Sequence, residues 1–327
     1  MQKVGVTGGS GFIGGHVIEE LLQAGYEVVL FDRLDKRPDK WIAKIAKVFM
    51  FQGDIRDANA VTEFAGMVDG IIHLAGTLGT QETTSNPRPA FETNVQGGLN
   101  VFEAANQYNL PVVNIGVGNH FMNNPYAISK STVERMAHFY NNDRGGKITT
   151  VRAVNAYGPR QSAAAPYGPS KVRKITPSFI CRALASQPIE VYGDGNQVSD
   201  MVYVGDVAAA LVQALRVTNS QNRALEKVIE VGPSEHTTVK EMAELVAQLC
   251  EAKGYPQAGI KHLPMRPGEI PGAQVTADNL TLHHIGMSPD SLTSLELGLA
   301  ETVQWFIDKK DQVWHDPNPK VVLVTEE

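Results

Sequence analysis

Tyr126 and Lys130 stand four residues apart in Tyr126-Ala127-Ile128-Ser129-Lys130, a spacing that puts both side chains on one face of a helix. A phenol of ordinary pKa about 10 serves as a base at neutral pH only if its anion is stabilised, and a neighbouring ammonium stabilises it. Each pKa unit corresponds to ~1.4 kcal/mol, so a shift of a few units asks for several kcal/mol of local electrostatics. Such a pair is suited to taking the proton of an alcohol. Tyr167-Gly168-Pro169-Ser170-Lys171 repeats the spacing, but Gly168 and Pro169 break a continuous helix, so Tyr126 is the expected base. Lys171, Arg173 and Lys174 then form a basic cluster that either meets a diphosphate or is the solvated start of a helix.

A second constellation lies at the start of the chain. Thr7-Gly8-Gly9-Ser10-Gly11-Phe12-Ile13-Gly14 has the spacing G-x-x-G-x-x-G directly after a β-rich run. Gly8, Gly11 and Gly14 allow a tight turn, close approach of backbone to a pyrophosphate, and close packing of strand and helix, whose N-terminus offers free N–H groups. Asp32 stands 18 residues beyond Gly14, at the end of the second strand. There a carboxylate accepts both ribose hydroxyls of NAD and repels the 2′-phosphate of NADP. NAD is therefore the expected cofactor, with Arg33 softening the preference, and capping of a loop is the other reading of Asp32. Lys130 would also hold the nicotinamide ribose, and the positive nicotinamide would add to the stabilisation of a Tyr126 anion.

The elements that must carry these residues follow an alternating rhythm. KVGVT, EVVLF, VFMFQ, GIIHLA, PVVNI and ITTVRAV read as strands, separated by helices at Phe12 to Ala24, Asn59 to Phe64, Phe91 to Tyr108 and Tyr126 to Tyr140. This is the β-α-β pattern of a doubly wound parallel sheet. After Tyr157 the chain becomes punctuated by Pro and Gly, with helices expected at Ile175 to Ala185, Val207 to Val217, Val239 to Glu251 and Leu295 to Lys309. The expected architecture is an α/β Rossmann lobe over 1–158, rejoined by part of 199–231, with a smaller interleaved α/β substrate lobe over 159–327. The polar tail is expected to be poorly ordered.

Composition narrows the function classes. The chain has 327 residues, 43% hydrophobic and 20% charged, with a net charge of −6; this predicts a globular enzyme and argues against a nucleic-acid polymer as partner. No apolar run approaches the roughly 20 residues of a membrane helix, and MQKVGVTGG runs straight into a strand, so neither a membrane anchor nor a signal peptide is expected. Cys181 and Cys250 are the two cysteines; their distance in sequence fits a reducing cytoplasm and no metal site. Cys181 is expected to be a buried helical residue rather than a nucleophile.

With these residues in place the chain resembles the extended short-chain dehydrogenase/reductases, in particular their nucleotide-sugar epimerase/dehydratase branch. Besides the glycine loop and the Tyr-x-x-x-Lys pair, the resemblance rests on Asp54-Ile55-Arg56-Asp57, His73-Leu74-Ala75-Gly76, Asn94 in ETNVQGG, Arg152, and Asn155 with Tyr157-Gly158-Pro159. VYGDGNQVSDMVYVGDVA and MRPGE continue it towards the C-terminus. The resemblance implies that Asp54 and Ile55 contact adenine and that Leu74, Ala75, Gly76 and Asn94 line the cofactor. It also implies that Asn155, Arg173 and Arg266 meet a nucleotide-diphosphate sugar, and that two copies pair through the Phe91–Tyr108 and Tyr126–Tyr140 helices as a homodimer.

Three departures qualify the reaction. Relatives place Ser or Thr after the fifth strand as a relay to tyrosine, whereas Asn114 to Pro125 contains neither; Asn119 or His120 would take its place, or the relay is absent. His120 has two readings, a proton carrier near pH 7 or a structural hydrogen bonder. Ser199 stands where relatives commonly have Arg, while Arg266 is retained. The Asp-Glu pair of family 4,6-dehydratases is missing. The expectation is an NAD-dependent nucleotide-sugar epimerase, acting at C4 through a transient keto-sugar. The alternatives are a dehydrogenase or 4,6-dehydratase of the same family and, outside enzymes, a cofactor-binding regulator.

Overall fold

The computed structural model describes residues 1–33, 47–168, 174–266 and 269–314. Its first half alternates β1 (Lys3–Thr7), α1 (Phe12–Gln23), β2 (Glu27–Asp32), β3 (Val48–Gln52), α2 (Ala58–Ala65) and β4 (Gly70–His73). Then come short helices α3 (Thr80–Ser85) and α4 (Arg88–Ala90), a wider π-turn segment Phe91–Gln96, α5 (Gly97–Gln107), β5 (Pro111–Val117), α6 (Pro125–Asp143) and β6 (Lys147–Ala153). The helix expected over Phe91 to Tyr108 therefore begins as a π-turn, in which Asn94 is buried.

The second half adds β7 (Asn155–Tyr157), α7 (Ile175–Leu184), β8 (Ile189–Tyr192), β9 (Val198–Ser199), β10 (Met201–Tyr203), α8 (Val204–Gln221) and β11 (Ile229–Val231). α9 (Val239–Ala252), β12 (Ile260–Leu263), β13 (Gln274–Val275), a 3-10 segment Asn279–Ile285 and α10 (Leu295–Trp314) follow. The large sheet has seven parallel strands in the order β11-β6-β5-β4-β1-β2-β3. The order reverses between β1 and β4, and the carboxyl ends of those strands open a crevice.

Continuous apolar runs make these strands because both sheet faces are covered. One face packs on α1 and α8 through Val17, Ile18, Leu211 and Leu215; the other packs on α2, α5 and α6 through Phe64, Phe102 and Val133. A separate core joins α7, α9, α10 and β8 around Phe179, Val191, Met242 and Phe306. β11 joins the large sheet, and Val202, α8 and, from the 3-10 segment, Leu282 and Ile285 pack into its core; the division drawn from sequence leaves the last two in the other lobe. Cys181 and Cys250 are free and buried, and burial pushes both thiols up to about 12, so neither is a nucleophile at neutral pH. Among the described residues no helix is long and apolar enough to cross a membrane, and no group of three or more His, Cys, Asp or Glu is placed to hold a metal ion.

Candidate active site

A cleft of about 1080 Å³ runs along the carboxyl ends of the strands and onto the smaller core. Gly8, Gly11, Phe12, Ile13, Gly14, Asp32, Arg33, Asp54, Ile55, Leu74, Ala75 and Gly76 line one end of it; Asn119, Tyr126 and Lys130 lie in its wall, with Asn155 and Arg266 beyond.

At the glycine end the shape comes from backbone. Gly8 has φ +70°, and a Cβ there would stand 2.7 Å from the Ala75 nitrogen. A Cβ on Gly14 would meet the Gly8 carbonyl oxygen at 2.5 Å, so Gly14 is what lets α1 come down onto the loop. Gly11 is the N-cap of α1 and supplies no side-chain cap, which leaves the first N–H groups for an anionic ligand. Asp32 closes this end: its Oδ2 accepts from the Ser10 N–H at 3.0 Å and its Oδ1 from the Arg33 N–H at 2.9 Å. The carboxylate is thus aimed by the glycine loop itself, and each oxygen has lone pairs left for a diol. Asp54 is gripped by Arg56, whose guanidinium holds it below the usual carboxylate range. The Ile55 side chain is buried against Gly97, where a Cβ would stand 2.4 Å from Ile55 Cδ1. A cradle of bare N–H groups beside an oriented carboxylate fits a dinucleotide's pyrophosphate and ribose.

The tyrosine is positioned by the start of α6. The Asn124 side chain caps that helix, accepting from the Ala127 N–H at 3.0 Å, and Pro125 fills its first turn, where a missing N–H costs nothing. Tyr126 and Lys130 therefore share the inner face, and Lys130 is 6% exposed. Burial pushes its ammonium down to about 8, a fall that Glu134 opposes. His73 on β4 is enclosed, donates to or accepts from Thr7 Oγ1 at 2.7 Å, and is held neutral by burial and by Lys130, with its pKa down to about 3. Tyr167 sits in a turn outside the cleft, packed on the α7–α9 core.

The remaining expected residues lie outside the cleft lining or outside the described residues. Asn94 does not line the cleft: 2% exposed, it accepts from the Thr77 N–H at 2.7 Å and donates to the Thr77 carbonyl and to Ser129 Oγ. It ties the loop after β4 to α6, because a buried amide must spend its polar atoms on neighbours. His120 also lies outside the cleft lining and points Nδ1 at the Gly118 carbonyl, 3.2 Å away, with its own carbonyl accepting from Ser131; Asn119 is the cleft residue of the two. Arg173 and Lys171 fall outside the described residues.

The far end is built from paired side chains. Asn155 donates to Ser199 Oγ at 2.7 Å. Arg266 lies over the Tyr192 ring, 4.7 Å from its centroid, and is paired with Glu269, and its buried Nε has no hydrogen-bond partner among the described residues. Arg182 faces Glu190 at 3.2 Å. Sequence reasoning missed Thr77 to Glu82, which line the cleft; their place just past a central strand, at the carboxyl edge of a parallel sheet, was the signal.

A family model described as the NAD dependent epimerase/dehydratase family matches residues 4–232. The chain belongs to this family. As a family member it is an enzyme of nucleotide-sugar epimerase/dehydratase type that uses NAD. A solved Thermus thermophilus UDP-glucose 4-epimerase in complex with NAD is similar at 30% identity and TM-score 0.79, over 94% of this chain and 99% of that one. UDP-N-acetyl-alpha-D-glucosaminuronate decarboxylase of Bacillus cytotoxicus is 28% identical over 92% of this chain and 96% of its own length. dTDP-glucose 4,6-dehydratase of Xanthomonas campestris is 27% identical over 94% and 93%. Relatives at similar distance thus carry the names of three different reactions.

Proposed function

We propose that this family member is a nucleotide-sugar 4-epimerase. The observation that carries the reading is the wall between Gly116 and Tyr126, which offers the cleft Gly, Val, Gly, Asn and Met, without the paired acid side chains that elimination needs. Tyr126 takes the proton of the sugar's C4 hydroxyl and returns it after the keto-sugar has turned over. Lys130 stabilises the phenolate in a dry setting, where a positive charge is worth more than in water. Bound NAD would supply a hydride acceptor that is regenerated within each cycle, held by the N–H groups at Gly11 to Ile13 and by Asp32. Asn119, the polar side chain nearest in sequence to the missing hydroxyl relay, hydrogen-bonds the substrate hydroxyl. Asn155 and Arg266 hold the diphosphate, with Arg173 the third residue of that set.

A second reading rests on Glu82, which lines the cleft from α3: a carboxylate there would serve a dehydratase or a decarboxylase. Proton NMR of the protein with UDP-, GDP- and dTDP-hexoses separates the two. A C4 epimer accumulating over many turnovers supports the epimerase; a 4-keto-6-deoxy product, or one equivalent of oxidised sugar with persistent NADH, removes it.

A homodimer is proposed from the face shared by α6 and the π-turn segment, where Phe91, Ile128 and Phe139 are exposed; Ile128 and Phe139 lie eleven residues apart, three turns along one stripe of α6. Sedimentation should give twice the chain mass, and Phe139→Glu should return it to the monomer; a monomeric parent would refute the assignment.

A further inference from the structure

A seam of charge, buried at Lys130 and Glu134 and partly buried at Arg152 and Glu230, runs beneath the helix that carries Tyr126 and Lys130. Glu134 follows Lys130 by one turn on the same face of α6 and is 8% exposed. Arg152 on β6 grips it with two bonds, from Nε at 2.9 Å and from Nη2. The third guanidinium nitrogen reaches Glu230 Oε1 on β11 at 2.8 Å, and Glu230 Oε2 accepts from the Asp278 N–H at 2.8 Å. β5 makes room by placing Gly116 at the crossing, where a Cβ would stand 2.9 Å from Arg152 Cγ and 3.4 Å from Glu134 Oε2.

The groups facing Lys130 can therefore be named. Tyr126 and Glu134 share its helix and a neutral His73 comes from β4, while Arg152 on β6 stands behind Glu134 and Glu230 on β11 behind Arg152. Lys130, Glu134, Arg152 and Glu230 alternate in sign and sum to zero, the condition under which charges of this kind are tolerated away from water. Removing one of them leaves its neighbour's field uncancelled, and in a weakly screened interior that field falls on Lys130.

We infer that Glu134 is the counter-charge that keeps Lys130 protonated for work with Tyr126, and that Arg152, anchored by Glu230, sets how much of that counter-charge Lys130 receives. Both are positioning residues, acting through Lys130 without touching substrate. The inference rests on Tyr126 and Lys130 being the acid–base pair, but its test needs no turnover, so the two can fail separately. Burial alone would drive the ammonium further from its ordinary range, and Glu134 is the charge that opposes this. Through Arg152 and Glu230 the catalytic helix is also joined to Asp278, so the alignment of β11 reaches Lys130 by way of charge.

The experiment is an NMR titration of the Lys130 Cε resonance in protein labelled with ε-carbon-13 lysine, assigned by its loss in Lys130→Met. Glu134→Gln should lower the Lys130 titration by about one pH unit and Arg152→Gln should raise it by about as much. The charge-neutral double variant Glu134→Gln/Arg152→Gln should return close to the parent, and Glu134→Asp should leave the titration in place. The alkaline limb of kcat should move in the same order. Shifts of one sign in both single variants, no shift, or a double variant further from the parent than either single would overturn the inference, since those are the marks of a packing role. Should Glu134→Gln fail to fold, Arg152→Gln must still raise the titration or the inference falls.

Discussion

The two ends of the cleft are made in different ways. At the cofactor end the ligand-facing groups are mostly backbone, set by where a Cβ cannot fit: Gly8 against Ala75 and Gly14 against the Gly8 carbonyl. At the far end they are side chains already engaged with one another, Asn155 with Ser199, Arg266 with Glu269 and Arg182 with Glu190. A backbone cradle is indifferent to what lies beyond the pyrophosphate, so it serves a whole family. Paired side chains must be parted or shared when a ligand arrives, and each pair is a place where specificity is set. Relatives with the names of three different activities fit this division.

The contrast can be broken at graded cost. Tyr126→Phe, at the centre where both ends meet, should lower kcat by about 10³-fold while NAD stays bound; single-turnover kinetics and cofactor titration check both halves, and near-parent turnover would remove Tyr126 as the base. Asp32→Ala should weaken NAD by ~10- to 100-fold and NADP much less, as expected for losing hydrogen bonds to a charged group; calorimetry with each dinucleotide decides, and equal losses would unseat the ribose assignment. Arg266→Ala should raise KM for the sugar nucleotide by roughly tenfold with NAD affinity unchanged, and a change in NAD affinity would merge the two ends of the cleft. The smallest effect is expected at His120, where Ala should change kcat by less than about threefold while Asn119→Ala changes it by more. The reverse order would restore the histidine as relay.

The pH dependence of turnover sharpens the same comparison. Burial pushes the Lys130 ammonium down to about 8, so its charge is present below that pH and is lost as pH rises through it. Turnover should therefore fall on the alkaline side as Lys130 loses its charge. Binding of the sugar nucleotide alone, which uses the other end, should be nearly level across the same range.

Local signals carried much of this to the sequence. Gly8, Gly11, Gly14, Asp32, Tyr126 and Lys130 were legible because each is bound to a short element: a turn leaving a strand, the last residue of a strand, one face of a helix. Glu134 has the same i, i+4 relation to Lys130 as Tyr126 has, yet its importance was not legible, since its partners Arg152 and Glu230 come from β6 and β11. For a related reason the sequence left His120 with two readings and did not show that Asn94 is tied to Thr77 and Ser129. Whether an amide or an imidazole faces a cleft or its own backbone depends on a neighbouring loop, and no spacing along the chain records that.

What the sequence by itself determined is therefore the alternating α/β order, the dinucleotide loop and the helical Tyr–Lys pair, all set by periodicity, glycine sterics and spacing within single elements. Only the tertiary structure decided that Thr77 to Glu82 belong to the cleft, that Arg266 and Asn155 enter it already paired, and that a chain of four alternating charges, two of them buried, lies under α6. Those facts depend on strand order in the sheet, with β11 beside β6 and β6 beside β5. Contacts between residues far apart in the chain are fixed by such packing, and carry no local signature.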